Sequence, residues 1–343
     1  MPLICHLNLA PTFRGGERQT ELLVRALAER GMVQRLVVRK GHVLAERCAD
    51  VDMLEIREAA ANPVSFGLAA RGADIVHAHD GRTAYSALLA NLLYRIPYVI
   101  TRRVVPNKPN TLIRSMAYRR AAKVVAISGA VVDALHRWSP DLEPAVIPSA
   151  NAGFEANDEA VAAIRAKRPG KVLIGNVGAL DHSHKGQSTI IQVAHRAASE
   201  RPDWHFLLCG DGRDEQRFRE EIGDLENIEL VGWVDNVGDY LASFDLFVFP
   251  SLHEALGSVL LDVLQFGLPV VASNVGGIPG IIEDGTNGLL VEPENPGALF
   301  AALARLLDDE GLRNGMCERN VELARKYTAN AMADAYERLY HSL

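Results

Sequence analysis

The sequence predicts an α/β protein with two doubly wound, Rossmann-like domains that face a cleft, and with helices at the C-terminal end. Short apolar runs alternate with helical patterns along nearly the whole chain, which is typical of parallel sheets covered by helices on both faces. The alternation breaks once, across residues 148–170, and then restarts. The length of 343 residues is appropriate for about two domains.

In the first part of the chain, helices connect six predicted strands. The helix predicted at Glu17–Arg30 carries apolar residues at positions 22, 23, 26 and 27, the spacing of one buried face, and Gly31 ends it. The other predicted helices are Thr83–Leu93, Leu112–Arg120 and Ala130–Arg137, and the predicted strands are Leu3–Leu9, Arg35–Arg39, Ile75–His77, Tyr98–Thr101, Val124–Ile127 and Ala145–Ile147.

The break at 148–170 is rich in proline, alanine and charge and is interpreted as the link between domains. We therefore expect one domain over 1–165, a second over 166–326, and a last helix at 327–343 that packs back on the first. In the second part, the predicted strands are Val172–Val177, His205–Cys209, Ile228–Leu230, Leu246–Phe249, Pro269–Ala272 and Gly288–Val291, and the predicted helices are Gln187–Glu200, Ser258–Phe266, 297–307, 311–326 and 329–341. Ligands should bind at the carboxyl ends of the strands.

Composition and cysteine usage point to a reducing compartment. The cysteines are scattered and form no CxxC pair, so they are interpreted as thiols and not as disulfides or zinc ligands; they are Cys5, Cys48, Cys209 and Cys317. The N-terminal sequence MPLICHLNLA does not resemble a signal peptide. No run of about 18 apolar residues occurs, so no membrane span is expected. The predicted location is the cytoplasm, either free or peripheral at the inner membrane.

Charge is distributed unevenly along the chain. Residues 1–150 carry 20 Lys and Arg against 13 Asp and Glu, a formal charge of +7, whereas the rest carries 16 against 30, a charge of −14. The basic part suits an anionic acceptor or an anionic lipid surface; a solvated surface without a partner is the alternative. The basic stretch has no interleaved aromatic residues, unlike a nucleic-acid surface, and comprises Arg102, Arg103, Lys108, Arg114, Arg119, Arg120 and Lys123.

Several common motifs are missing. No GxxxxGK[ST] occurs, which argues against a P-loop ATPase. The GxG at 210–212 lacks a third glycine, and HEALG at 253–257 lacks the second histidine of a zinc-protease helix. His182 and His184 have no carboxylate in helical register, so we expect no metal site there.

The segment from Phe249 to Val291 is the most informative. Glu254 follows an apolar strand, and Gly257 and Ser258 open a helix that carries Asp262. A second strand then leads into Gly276-Gly277. Strand ends, helix N-termini and close backbone approach hold phosphorylated ligands in α/β proteins. A carboxylate beside such a site is better suited to a hydroxyl-bearing group attached to the phosphate, such as a sugar.

These residues resemble a known family. The C-terminal part is similar to retaining nucleotide-sugar glycosyltransferases of the GT-B fold, specifically glycosyltransferase family 4, and more narrowly to bacterial enzymes of lipopolysaccharide and surface-glycan synthesis. The matching pieces are HKG at 184–186, DLFVFPS at 245–251, HEALG at 253–257, GLPVVAS at 267–273, GGIP at 276–279 and GTNGLLV at 285–291, with thinner matches in FRGGERQ at 13–19, DIVHAHD at 74–80 and VVAIS at 124–128.

The resemblance implies three catalytic residues. Lys185 would hold the donor diphosphate, and Glu254 would contact the hydroxyls of the donor sugar. His79 would lie near the sugar and the reaction centre, where it could donate a hydrogen bond to a hydroxyl. His77 is expected on the opposite side of its strand, in the core.

It also implies the substrate-binding residues. Gly257 and Ser258 would offer backbone amides to the diphosphate, and Asp262, where the family usually has Glu, would approach the ribose. Gly15 and Gly16 would meet donor phosphate and acceptor; a plain tight turn is the alternative. Trp233 lies in a loop where the family receives the base.

The chain also departs from the family pattern. The family arginine six residues before the lysine is replaced by Ala179, which removes a bidentate cation. Gly280 stands where Glu is frequent, and Ser149-Ala150 where Asn-Gly is frequent. The possible replacements for the missing cation are Arg14, Arg102, Arg103 and Arg213.

The predicted activity is metal-independent transfer of a sugar, with retention, from a nucleotide-diphosphate-sugar to a glycan or glycolipid, without a cofactor. Because of the departures, a catalytically inactive scaffold of the same fold that binds partners is the main alternative. A sugar-nucleotide epimerase or a phosphorylase is a further one. The donor base, sugar, acceptor, linkage and oligomeric state do not follow from the sequence.

Overall fold

The computed structural model describes residues 2–105 and 111–343. The chain divides into two compact units. The first unit comprises Met1–Ala152 and Tyr327–Leu343, and the second comprises Gly153–Lys326. Each unit is built on one parallel sheet, of seven and six strands respectively, so the predicted pair of doubly wound α/β domains is confirmed.

The strands are short and mostly buried. In the first unit they are β1 (Ile4–Asn8), β2 (Gln34–Arg39), β3 (Leu54–Ala59), β4 (Ile75–Ala78), β5 (Tyr98–Arg102), β6 (Lys123–Ala126) and β7 (Ala145–Val146), and in the second unit β8 (Val172–Val177), β9 (Trp204–Cys209), β10 (Ile228–Gly232), β11 (Leu246–Phe249), β12 (Val270–Ser273) and β13 (Leu289–Val291).

Helices connect the strands. They are α1 (Gly15–Ala28), α2 (Val43–Arg47), α3 (Pro63–Ala69), α4 (Thr83–Tyr94), α5 (Leu112–Arg119), α6 (Gly129–Trp138), α7 (Asp158–Ala166), α8 (His182–Lys185), α9 (Gln187–Glu200), α10 (Glu215–Ile222), α11 (Val237–Ser243), α12 (Val259–Gln265), α13 (Pro296–Asp308), α14 (Glu310–Ala324) and α15 (Ala329–His341). No helix of the described ranges is both long and apolar enough to span a bilayer.

Both sheets share one winding pattern. Their orders are β3-β2-β1-β4-β5-β6-β7 and β10-β9-β8-β11-β12-β13. In each, the chain runs outward from the first strand, returns, and continues on the other side, so the winding direction reverses between β1 and β4 and between β8 and β11. Loops that follow the two strands at such a switch point diverge to opposite faces, which leaves a crevice where ligands bind.

The last helix completes the first unit. Met332, Ala333 and Tyr336 of α15 share one hydrophobic cluster with Leu23 and Leu27 of α1. Polar contacts also join α15 to the end of α1. The guanidinium of Arg30 donates to the carbonyl of Asn330 at 3.0 Å and to Glu337 at 3.0 Å. The segment 327–343 therefore belongs to the core of the first unit.

Residues 153–165, which the sequence places with the first domain, lie with the second unit in the structure. Their contacts explain this, because Gln265 Nε2 donates to the carbonyl of Phe154 at 2.8 Å and the amide of Asn157 donates to Asp239 at 2.7 Å. The strand β3 and the helices α2, α3, α8, α10 and α11 are absent from the predicted set, and α7 lies in the stretch interpreted as the link between domains. Lys108 of the predicted basic stretch lies outside the described residues.

Candidate functional site

Lys185 and Glu254, 69 positions apart, form an ion pair between Nζ and Oε1. Lys185 ends α8 in the loop after β8, and Glu254 lies in the loop after β11. Because β8 and β11 are adjacent strands, the pair sits at the switch point of the second sheet. The hydroxyl of Ser251 donates to the same carboxylate oxygen at 3.1 Å. The structure thus brings together the two predicted catalytic residues of this unit.

The ring of Phe249 joins Lys185 to the predicted amide donors. Nζ of Lys185 lies 5.2 Å from the ring centroid, and a Cβ on Gly257 would lie 3.1 Å from the same ring. The amides of Gly257 and Ser258 form no hydrogen bond with any residue in the described ranges. Lys185 and Gly257 therefore both lie beside one aromatic ring.

The Lys185 loop has a fixed position because the backbone at Gly186 approaches the loop after β11 closely. Gly186 has a φ of +65°, and a Cβ there would lie 2.1 Å from the carbonyl oxygen of Pro250. The amides of Leu252 and His253 donate to the carbonyl of His184 at 2.8 and 3.2 Å. Only glycine fits this contact.

Asp262, the second predicted carboxylate, lies on α12, eight residues after Glu254, and is 8% exposed. Trp233 follows β10 and is 72% exposed. The loop that carries Trp233 adjoins the loop after β9, since the amide of Gly210 donates to the carbonyl of Gly232 at 2.8 Å. An accessible indole thus stands at the same edge of the sheet as Lys185.

In the first unit, His79 lies directly after β4 and is 3% exposed. Its Nε2 is 2.9 Å from Nδ1 of His6, and its Nδ1 is 3.3 Å from Nη2 of Arg103. Nε2 of His6 is in turn 3.0 Å from the side-chain oxygen of Gln34. Both ring nitrogens of His79 are therefore engaged, and donation to a sugar hydroxyl would require one contact to be exchanged.

The guanidinium of Arg103 sets the direction of this chain of hydrogen bonds. Because arginine only donates, Nδ1 of His79 accepts, and the proton of the neutral ring lies on Nε2. His79 then donates to His6, and His6 donates to Gln34. Burial lowers the pKa of His6 to about 4 and lowers the pKa of His79 well below its ordinary value. Both imidazoles are therefore neutral at pH 7.

His77 lies on the same side of β4 as His79, and their ring centroids are 3.9 Å apart. The expectation that it points to the opposite side is wrong, because residues two apart on a strand share a face. Its burial is complete. Its Nδ1 is 2.6 Å from the hydroxyl of Tyr340, and its Nε2 is 2.7 Å from the hydroxyl of Thr101.

His6, His77 and His79 place one ligand atom each within 4.8 Å of one another. Three histidines are a possible metal set, but every ring nitrogen already has a hydrogen-bond partner. A metal ion would displace these partners, and it would lie beside the positive charge of Arg103. The observed contacts are better explained as a hydrogen-bonded network.

Gly15 and Gly16 form the first turn of α1 and not a plain turn before it. A Cβ on Gly16 would lie 3.7 Å from Cδ of Arg103, which also contacts His79. Gly16 and His79 therefore both lie beside Arg103, at the switch point between β1 and β4.

Family profiles match both units. One described as "Glycosyl transferases group 1" matches residues 171–309, and one described as "Glycosyltransferase Family 4" matches residues 13–150. The chain is a glycosyltransferase with a family 4 domain and a group 1 domain.

Curated relatives agree with this assignment, and a solved structure shares the fold. The transferase is 26% identical over 339 residues, 96% of each chain, to the lipopolysaccharide core biosynthesis glycosyltransferase LpsE of Rhizobium meliloti. It is 29% identical over 255 residues to the alpha-maltose-1-phosphate synthase of Mycolicibacterium smegmatis, a match that covers 65% of each protein. The fold matches the crystal structure of Anabaena Alr3699/HepE in complex with UDP and glucose, with a TM-score of 0.87, 16% identity and full coverage of both chains.

Three contacts of the transferase site were not expected from the sequence. Arg103 is named there in the basic stretch and as a possible replacement for the missing cation, but its contact with His79 was not predicted. His6 lies in register with His77 across β1 and β4, and only knowledge of the strand order could have revealed this. Ser251 is part of the matched DLFVFPS motif, so its position near Glu254 was available from the sequence.

Proposed function

We propose that this transferase moves a sugar, with retention of configuration, from a nucleoside-diphosphate donor to a hydroxyl of a glycan or glycolipid, in lipopolysaccharide or surface-polysaccharide synthesis. The observation that carries the proposal is the convergence of Lys185, Glu254 and the loop of Gly257 and Ser258, whose amides have no partner among the described residues, at the switch point of the second sheet. Cationic and amide donors suit a diphosphate, and the adjacent carboxylate suits sugar hydroxyls.

In the proposed reaction, the ammonium of Lys185 exchanges its ion pair with Glu254 for the donor phosphates. Glu254, still held by Ser251, then accepts hydrogen bonds from the sugar. As the glycosidic bond breaks, negative charge grows on the leaving diphosphate, so its contact with Lys185 strengthens toward the transition state. Lys185 and the amides thereby supply the charge neutralisation without a metal ion, and no cofactor is required.

The acceptor proton passes to a phosphate oxygen of the donor. The contacts of His79 support this route over a histidine base, because its Nδ1 accepts from Arg103 and its Nε2 carries the proton given to His6. Such an imidazole has no lone pair available for an acceptor hydroxyl. In this proposal His79 acts as a neutral polar group.

We also propose that the first unit contacts an anionic membrane through α5. Residues 81–132 contain nine Lys and Arg and no Asp or Glu. Leu112 of α5 is 91% exposed, Ile113 60% and Met116 40%, and Arg119 and Arg120 follow on the same exposed side. Apolar residues flanked by cations suit the interface of an anionic bilayer. A lipid-linked acceptor would be available there.

The experiment that tests the function is a thermal-shift screen with UDP, GDP, ADP, CMP and dTDP, followed by product analysis with the matching nucleotide sugars. A nucleotide at 100 times its Kd stabilises the protein by about 2.7 kcal/mol. We expect one nucleoside diphosphate to stand out and its sugar to be transferred with retention. A protein that none of them stabilises would contradict the proposal.

Ala179 favours a second candidate, an inactive scaffold of the same fold that binds partners. Here the protein would bind a nucleotide but neither hydrolyse nor transfer its sugar with any acceptor tested. Conversion of a nucleotide sugar into an isomer without an acceptor would instead identify an epimerase.

A further inference from the structure

The exposed residue Ala179 leaves the loop after β8 without the arginine that the family places six positions before its lysine. A guanidinium from the neighbouring loop reaches this region. Nη2 of Arg213, in the loop after β9, donates to Oδ1 of Asp181 at 2.8 Å and to the hydroxyl of Ser183 at 2.5 Å. Asp181 lies two residues after Ala179 and four before Lys185. The loop after β8 thus lacks an arginine of its own at position 179 but is contacted by an arginine of the loop after β9.

The backbone around Arg213 is fixed against the Lys185 loop. A Cβ on Gly212 would lie 2.3 Å from the carbonyl oxygen of Leu180, so the two chains touch. Four hydrogen bonds join these loops: Gly178 N to Cys209 O at 3.0 Å, Leu180 N to Asp211 O at 2.8 Å, Asp214 N to Leu180 O at 3.1 Å, and His182 N to Asp214 Oδ2 at 2.7 Å. The guanidinium is thus presented from a pre-organised base.

The side chain of Arg213 is nevertheless able to change partners. It is 63% exposed, and within the described part of the chain its Nε and Nη1 make no hydrogen bond. Asp181 would remain satisfied without it, because Ser183 also donates to the carboxylate at 2.7 Å and His184 lies 3.3 Å from it. Partial burial opposes ionisation of Asp181, but the hydrogen bonds of Ser183, Arg213 and His184 outweigh it and lower the pKa to about 2.

We infer that Arg213 is the second diphosphate-binding cation of this transferase, held on Asp181 in the nucleotide-free protein and turned toward the phosphates when the donor binds beside Lys185. The inference rests on the proposed function. A guanidinium gives two parallel hydrogen bonds to a phosphate. Arg213, from the loop after β9, then binds the diphosphate in place of the family arginine that Ala179 replaces.

The test is calorimetric titration with the nucleoside diphosphate that stabilises the protein most, and with the matching nucleoside monophosphate. We expect Arg213→Ala to weaken diphosphate binding about 10- to 100-fold and monophosphate binding less than threefold. Introducing Ala179→Arg into the Arg213→Ala variant should restore diphosphate binding. Arg219→Ala is the matched control, since Arg219 is 57% exposed on α10 and pairs with Glu215; its affinities should equal those of the wild type.

Equal diphosphate affinities of the wild type and Arg213→Ala would overturn the assignment of Arg213 and leave the proposed function intact. Equal losses for both nucleotides would also overturn it, since they would indicate a general distortion of the site. A wild type that binds no nucleoside diphosphate would overturn both proposals.

Discussion

Nζ of Lys185 and the carboxylate of Glu254 hold each other between the loops that follow two adjacent parallel strands. The carboxylate is 11% exposed and the lysine side chain 25% exposed. In the ligand-free protein each charge is therefore compensated by the other. Several consequences of this arrangement can be measured.

Replacement of Lys185 or Glu254 by alanine should abolish sugar transfer while the protein stays folded. Loss of one pre-organised electrostatic contact typically lowers kcat by about 10²- to 10³-fold. Transfer is measured with the identified donor, and folding by circular dichroism. Arg196→Ala is the control, because Arg196 forms an exposed pair with Glu200 on α9 away from the loops. Turnover close to the wild type in either alanine variant would refute the assigned roles.

Gly186→Ala should impair the Lys185 loop more than the backbone strain alone explains. Gly170→Ala is a matched control, since Gly170 has a φ of +72° but nothing within 4 Å of an added Cβ. Both variants bear the cost of a left-handed alanine, about 1–2 kcal/mol, but only the one at 186 forces a contact with Pro250. We expect weaker nucleotide binding only for Gly186→Ala. Equal losses of stability and affinity in both variants would show that the contact is unimportant.

Acid should destabilise the first unit through its buried histidines. The unfolded chain protonates His6 near pH 6.5, whereas burial lowers the pKa of native His6 to about 4. The unfolded state therefore binds more protons between these values, and the stability of the native state falls as pH decreases through this window. From pH 7.5 to 5.0, His6 alone should account for about 2 kcal/mol.

His6→Asn tests this prediction, because comparison with the wild type isolates the contribution of one histidine. The free energy of unfolding is measured by urea denaturation at both pH values, and its acid-induced decrease should be smaller in the variant by that amount. His341→Asn, at an exposed position, should behave like the wild type. An unchanged pH dependence in His6→Asn would contradict the buried neutral state.

Tyr340→Phe should destabilise the first unit by about 1–3 kcal/mol, because it leaves a buried nitrogen of His77 without its partner. The tyrosine hydroxyl lies 2.6 Å from that nitrogen, and Tyr340 is 2% exposed. Tyr94→Phe, in which the lost hydroxyl has no hydrogen-bond partner among the described residues, should change the melting temperature little. Equal melting temperatures for the two variants would argue against the tyrosine–histidine contact.

Wild-type protein should float with vesicles that contain phosphatidylglycerol and not with neutral vesicles, and added salt should weaken the association. Removal of Arg119 and Arg120 should lower the partition coefficient about fivefold per residue. Leu112→Ser with Ile113→Ser and Met116→Ser should weaken it further.

Val43→Ser is the control for the vesicle experiment, because Val43 is 47% exposed on α2 and should not affect binding. Nucleotide binding by the same samples should be unchanged. A wild type that does not bind anionic vesicles would contradict the proposed membrane contact of α5.

Central strands could be predicted from the sequence because both of their faces are buried. The bounds of β8 and β11 coincide with the predicted ones, and their residues are almost continuously apolar. The edge strand β3 was missed because it alternates apolar and charged residues and is only half buried. The helix α10 was missed for a similar reason, since only Phe218 and Ile222 on it are buried.

The residues of the candidate site also differ in how well the sequence predicts them. Lys185 and Glu254 each belong to a local motif, so their types and spacing indicated their importance. The histidine network depends on the pairing of β1 with β4. It also depends on Arg103, which directly follows β5, the strand on the other side of β4. Such contacts follow from strand order, which the predicted elements alone did not specify.

The position of α15 has a consequence for how the molecule is made. Tyr327–Leu343 packs into the first unit, but a ribosome synthesises it only after it has synthesised the whole of Gly153–Lys326. The second unit is one uninterrupted stretch and can mature as soon as it leaves the exit tunnel. Until α15 has been synthesised, Leu23 and Leu27 of α1 lack the apolar partners that this helix supplies in the folded unit.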